Sequence, residues 1–197
     1  MVQGYIQLLS EIKFIMQSIW NRIEVWLEQN CPEILQEIGT GAKESEIHNC
    51  ENRLGILFPK ELTEFYFCHN GQSDLSAPLM GDWHLLSLRN VTKQWEIMQE
   101  LMEQNSLEGS VISDGKVQPV WWHSQWIPIA SNGAGDFQCL DLAPTELGNI
   151  GQIISFWHMS EERTVIAKTI KVWLEQFAQD LETGHYKVRR GILIFRQ

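Results

Sequence analysis

The stretch from Trp126 to His158, WIPIASNGAGDFQCLDLAPTELGNIGQIISFWH, constrains this chain more than any other. It reads as three short strands, Trp126 to Ala130, Phe137 to Leu142 and Gln152 to His158, joined by glycine-bearing turns. β-Branched and aromatic residues bounded by Asn, Gly and Asp clusters suit an antiparallel, hairpin-built sheet. The flanking sequence carries apolar residues at steps of three and four, so helices are expected to pack onto that sheet. Helices, then strands, then a helix predict an α+β fold with a small, mainly antiparallel sheet rather than alternating βαβ units. Pro128 belongs at an edge or a bulge of such a sheet, because it cannot donate to a ladder.

Before the strands, Leu8, Ile12, Ile15, Ile19, Ile23 and Trp26 mark an amphipathic helix over Tyr5 to Leu27. Asn30-Cys31-Pro32 breaks it, and Pro32 can open a short second helix. Ile47, Cys50 and Leu54 share a helical face closed by Gly55 as a left-handed cap. Pro59 is expected as the first residue of the next helix, with Leu62, Phe65 and Tyr66 inward and Asn70-Gly71 ending it. Trp83 to Leu86 predicts a strand. Ser87 or Asn90 then caps a helix carrying Val91, Trp95, Met98, Leu101 and Met102 on one side. Asn105 to Gly109 reads as a polar break, and Asp114-Gly115 as a candidate hairpin turn. After the strands, Thr164 is the expected cap of a last helix carrying Ile166, Ile170, Trp173, Phe177 and Leu181, ended by Gly184. The basic tail from Lys187 to Gln197 reads as an extra strand or a docking arm.

Two segments carry a family pattern. In EIHNCENRLGILFPKELTEFYFCHNGQ, from Glu46 to Gln72, the order is Glu51, Leu54-Gly55, Phe58-Pro59, Leu62, Phe65-Tyr66 and Asn70-Gly71. Later come W-x-P-I, G-x-G-D, L-D-L-x-P with Asp141, G-x-I-I from Gly151, and the closing FAQDLETGHY. Together they resemble the SUKH superfamily, in its branch named after the yeast cell-wall-assembly regulator (Smi/Knr type). The resemblance covers roughly Trp20 to Tyr186. It implies one SUKH-like domain over residues 1–197, with 1–19 a helical extension and 187–197 a tail of open role. It also implies a protein-binding module without catalysis or cofactor. Relatives of this type are immunity proteins against secreted toxins, often nucleases, or regulatory scaffolds.

A chain of 197 residues suits a single domain with a proper core. Its net charge of -10 argues against wrapping nucleic acid, since phosphate contacts need clustered Lys and Arg, and would steer encounter with a basic protein. No apolar run approaches the roughly 20 residues that span a bilayer. Glu11 and Lys13 interrupt any signal-peptide order. Cys31, Cys50, Cys68 and Cys139 form no C-x-x-C pair and read as reduced structural thiols of a cytoplasmic protein.

Candidate site residues are few. Gly133-Ala134-Gly135-Asp136 has no following helix and no lysine, as a phosphate loop would need, so it reads as a hairpin connection. The other reading is a recognition loop, with Gly133, Gly135 and Asp136 facing a partner. Asp136 and Asp141 do not read as a catalytic pair, and Asp141, sharing a face with Phe137 and Cys139, should accept structural hydrogen bonds. None of the six histidines has zinc-site spacing. Trp121, Trp122 and Trp126 are the candidates for a recognition surface, since adjacent strand residues point to opposite faces and at least one side can be exposed; two of the three read as core. The alternative is a small enzyme or ligand-binding protein using the cleft at Gly133 to Asp136, which requires converging polar groups there.

Overall fold

The structure, a computed structural model, describes residues 2–104 and 111–196. The polar break read at Asn105 to Gly109 lies outside these residues. The opening helix α1 (Val2–Asn30) runs unbroken through the expected boundary between extension and domain. Its stripe of Met16, Ile19, Trp20, Ile23 and Leu27 is buried against α4 (Lys60–Cys68) and α6 (Ile170–Glu182). Pro32 opens α2 (Pro32–Gln36), where its missing N–H costs nothing. Helix α3 (Glu44–Leu54) ends on Gly55 in the left-handed conformation, and Pro59 caps α4 from just outside rather than beginning it.

The motif residues hold this helical half together. The Glu51 carboxylate accepts from Phe58 N at 2.7 Å, fixing the extended link into α4. Asn70 Oδ1 accepts from Leu88 N at 2.8 Å and so caps α5 (Leu88–Gln104) from a distance. Ser87 caps the same helix locally, accepting from Asn90 N at 3.4 Å. Gly71 has φ +71°, and a Cβ there would stand 2.2 Å from Ser87 N. Only glycine lets the two backbones approach so closely. On α5, Val91 and Met98 are buried, whereas Leu101 and Met102 are exposed rather than facing inward.

The main sheet has six strands: β1 (His84–Leu85), β2 (Ile112–Ser113), β3 (Trp126–Ser131), β4 (Phe137–Asp141), β5 (Gln152–Phe156) and β6 (Glu162–Ala167). Their order is β1-β3-β4-β5-β6-β2, antiparallel except for β2 beside β6. Pro128 lies where the β3–β4 register shifts, a bulge that tolerates its missing donor. Two expectations are corrected. Residues 162–167 form a strand, not the start of a helix, and the cap of α6 is Thr169, whose hydroxyl accepts from Val172 N at 3.2 Å. Asp114-Gly115 does not turn a hairpin: Asp114 Oδ1 accepts from Lys116 N, and the chain continues irregularly after β2 pairs in parallel with β6.

One face of the sheet, with Gln138, Leu140 and Ile153, meets α6, where Trp173 Nε1 donates to Gln138 Oε1 at 2.8 Å. The other face carries Trp126, Phe137, Cys139, Asp141 and Phe156, and is covered by Trp121 and Trp122. The tail forms the hairpin β7 (Tyr186–Arg189) and β8 (Ile192–Phe195). Its two-residue turn has positive φ at Arg190 (53°) and Gly191 (74°), matching the twist of paired strands.

Candidate protein-recognition site

Strand register gathers several loops at one end of the sheet. Ser131 pairs with both His84 and Phe137, and Phe137 pairs with Phe156, which pairs with Arg163. The β3–β4 loop (residues 132–136), the β5–β6 turn (residues 157–161) and Trp83 therefore share that end. The β3–β4 loop is built by its own side chains. Asn132 Oδ1 accepts from Ala134 N at 2.9 Å, and Asn132 Nδ2 donates to Asp136 Oδ2 at 2.7 Å. Such side-chain turns replace the ladder that the backbone has left.

Asp136 ties this loop to the next. Its Oδ1 accepts from both the backbone N and the ring Nδ1 of His158, each at 2.8 Å. Burial pushes the Asp136 carboxyl up, but the donors on His158 and Asn132 outweigh it and hold the group below the usual carboxylate range. Gly135, at φ +97°, lies over the imidazole, with an added Cβ falling 3.4 Å from Nδ1. Gly133 also has positive φ and open space around it.

The β5–β6 turn is fixed from beneath by Arg163, which is fully buried with no carboxylate partner among the described residues. Its guanidinium donates to the carbonyls of Ser160 (2.9 Å), Glu162 (2.8 Å), Trp157 (3.4 Å) and Trp121 (3.0 Å), and stacks 4.4 Å from the Phe156 ring centre. Burial lowers its pKa to about 10. The turn presents Trp157, 41% exposed, and Met159, 86% exposed. The Trp157 ring packs edge-on against Trp83 at 5.5 Å. The sequence reading missed these residues. The available signal was Trp-His-Met between two strands, an apolar pair where a turn is usually polar.

The three candidate tryptophans separate, two of them into the core as expected. Trp126 and Trp122 are in the core, in edge-on contact with each other at 5.8 Å, so a partner could reach neither side chain. Trp121 is half-buried against Phe156 and lends its carbonyl to Arg163. Asp141 is also inside, accepting from Trp126 Nε1 (3.0 Å), Gln152 Nε2 (2.9 Å) and Ala143 N (2.9 Å). Gly151 N donates to the Asp141 carbonyl at 2.7 Å, closing the long β4–β5 turn. Asp136 and Asp141 thus serve different networks.

A carboxylate-held imidazole is the kind of group that acts as a general base. Yet no hydroxyl or thiol bonds to His158 among the described residues, and both donors on Asp136 Oδ1 lock loops together. The other histidines have unrelated duties. His69 bridges the Gly39 carbonyl and Glu24, each at 2.8 Å, while His123 accepts from Gln125 N. Among the described residues, no group of three His, Cys, Asp or Glu could hold a metal ion. No helix among them is long and apolar enough to cross a membrane.

A model of the SMI1 / KNR4 family (SUKH-1) matches residues 41–176. The KNR4/SMI1 homolog 2 of Debaryomyces hansenii is 26% identical over 88% of this chain and 36% of its own length. The cell wall biosynthesis/cell cycle regulator smi1 of Schizosaccharomyces pombe is 27% identical over 86% of this chain and 36% of its own. For the cell wall assembly regulator SMI1 of Saccharomyces cerevisiae the figures are 26%, 85% and 40%. This chain thus spans well under half the length of these relatives.

Proposed function

This chain belongs to the SMI1/KNR4 family (SUKH-1), and on that premise we propose that it is a non-catalytic, cytoplasmic protein-binding module. The supporting observation is the turn bearing Trp157 and Met159: apolar side chains held out on a backbone fixed by Arg163 and tied to the Asp136 loop. Exposed aromatic anchors on a preorganised backbone bind at low entropic cost. The Gly133, Gly135 and Asp136 loop and the half-buried Trp121 frame that anchor.

Two roles suit such a module. Regulation of a cellular protein is favoured by the names of the similar fungal proteins, which are called regulators of cell-wall assembly or biosynthesis. Neutralising a toxin is favoured by the net charge of -10, which suits covering a basic nuclease and blocking its active site without any bond being made or broken. The test is titration of the purified chain against the products of genes adjacent to its own. Binding should be lost in the double variant Trp157→Ser, Met159→Ser, and a bound nuclease should stop cleaving. Undiminished binding by that variant would overturn the assigned surface. A metabolite that raises the melting temperature and is consumed would favour the enzyme reading instead.

A further inference from the structure

A second surface lies on the helix side of the sheet. A cleft of about 730 Å³ opens between the 78–83 loop, Ile166 and Ala167 of β6, one side of α6, and the β7–β8 hairpin. That volume falls within the usual range for ligand and peptide sites. Ile166, Val172 and Phe195 stand around it, each between 44% and 47% exposed. Single exposed apolar residues need no explanation, but a contiguous set around a concavity does.

The charge in this cleft has one sign. Among the described residues its ionisable lining is Asp82, Asp180 and Tyr186. Asp82 accepts no hydrogen bond from any of them. Asp180 Oδ1 accepts from Gln176 Nε2 (2.9 Å) and meets His185 Nδ1 (3.1 Å). Burial first, and then both carboxylates, push the Tyr186 phenol up to about 12, so both negative charges are felt at one ring. That ring packs edge-on against Phe177 and Phe195. The basic residues of the tail do not neutralise the cleft. Register puts Tyr186 with Phe195 and Val188 with Leu193 on the hairpin face turned to α6, and places Lys187 and Arg189 on the opposite face.

We propose that this cleft docks an extended segment of a protein partner carrying Lys or Arg between apolar residues. The cation is drawn to Asp82 and Asp180, and its neighbours cover Ile166, Val172 and Phe195. Carboxylates beside aromatic rings favour an alkylammonium or guanidinium electrostatically and through the ring faces, while the apolar rim supplies the buried area. The inference rests on the protein-binding reading above and adds the chemistry of a partner segment.

The test uses the full chain and a fluorescent peptide, acetyl-Leu-Lys-Val-Lys-Leu-amide, with Lys→Glu and apolar→Ser counterparts, followed by anisotropy at low and moderate salt. Binding of the lysine peptide should be at least tenfold tighter than that of either counterpart. It should fall about tenfold in Asp82→Asn, Asp180→Asn, and be lost in Val172→Lys, which adds a cation at an exposed helix position without entering the core. Leu147→Ser, on a distant turn, should change nothing. Equal binding of all three peptides, no binding, or indifference to the cleft variants would overturn the proposal. The Trp157→Ser, Met159→Ser variant separates the two inferences. If it loses the partner while the peptide ignores the cleft, only the cleft assignment falls. If the peptide binds the cleft and the partner ignores the double variant, only the loop assignment falls.

Discussion

Asp136 and Asp141 are five residues apart, yet their surroundings drive their carboxyls in opposite directions. Asp141 is fully buried between Trp126, Gln152 and Ala143. Burial raises its carboxyl, and the three hydrogen bonds only partly offset that. Asp136 sits where the strand meets solvent, and its donors outweigh burial. One network secures the sheet, whereas the other positions loops at its rim. Both carboxylates are spent on internal hydrogen bonds, so what separates them is what they hold: strands in the core for Asp141, and rim loops for Asp136.

The largest effects should fall on the inner network. Asp141→Ala would leave Trp126 Nε1 and Ala143 N without an acceptor and Gln152 Nε2 with only the Lys116 carbonyl, a loss of roughly 3–5 kcal/mol in urea unfolding. Asp141→Asn should cost less, about 1–3 kcal/mol, because one carbonyl oxygen remains while the new amide faces the Gln152 donor. Trp122→Ala should cost about 3–5 kcal/mol by emptying the space between Trp126, Phe137 and Phe156. Trp122→Phe should be much milder, since Trp122 Nε1 is buried without a partner among the described residues. A mild effect for Asp141→Ala would erase the distinction between the two carboxylates.

The same contrast explains what could be read from sequence. Strands β3, β4 and β5 are legible because their apolar runs are bounded by Asn-Gly and Gly-Asn turns that few other structures accept. The helices follow from their stripes, and Gly55 from its place after Leu54. Strand β6 is not legible, because Ile166, Ile170 and Trp173 recur at helical steps. Pairing with the fully buried β5, and burial of Arg163, decide the matter, and neither is local. For the same reason the sequence points to 121–126, rather than to Trp157, for an exposed tryptophan. Adjacent aromatic residues announce a surface only if nothing folds over them, whereas Trp157 owes its exposure to a turn held from beneath by the buried Arg163 of the following strand.

At the rim, effects should move from stability to binding. Trp157→Ser should change stability by less than about 1 kcal/mol, since the ring is already partly in water, but should weaken a partner by about 30-fold or more, the size expected of an aromatic anchor. Calorimetric titration and urea unfolding of the same variant check both halves. A large stability loss with unchanged affinity would make the turn architectural, like the Asp141 network.

The smallest effect is the most diagnostic. Asp136→Asn keeps an oxygen for His158 and should cost only about 1 kcal/mol at neutral pH. Its signature is the pH dependence of that cost. Because folding lowers the Asp136 carboxyl, its contribution is present above the ordinary carboxyl value and disappears as pH falls through the lowered one. Folding raises the Asp141 carboxyl, so its contribution is full below the ordinary value and is lost as pH rises through the raised one. Between pH 7 and pH 3, Asp136→Asn should therefore flatten the loss of stability in acid, and Asp141→Asn should steepen it. Urea midpoints at half-unit pH intervals measure both slopes. If the two variants shift the curve in the same direction, the two carboxylates do not differ as their surroundings require.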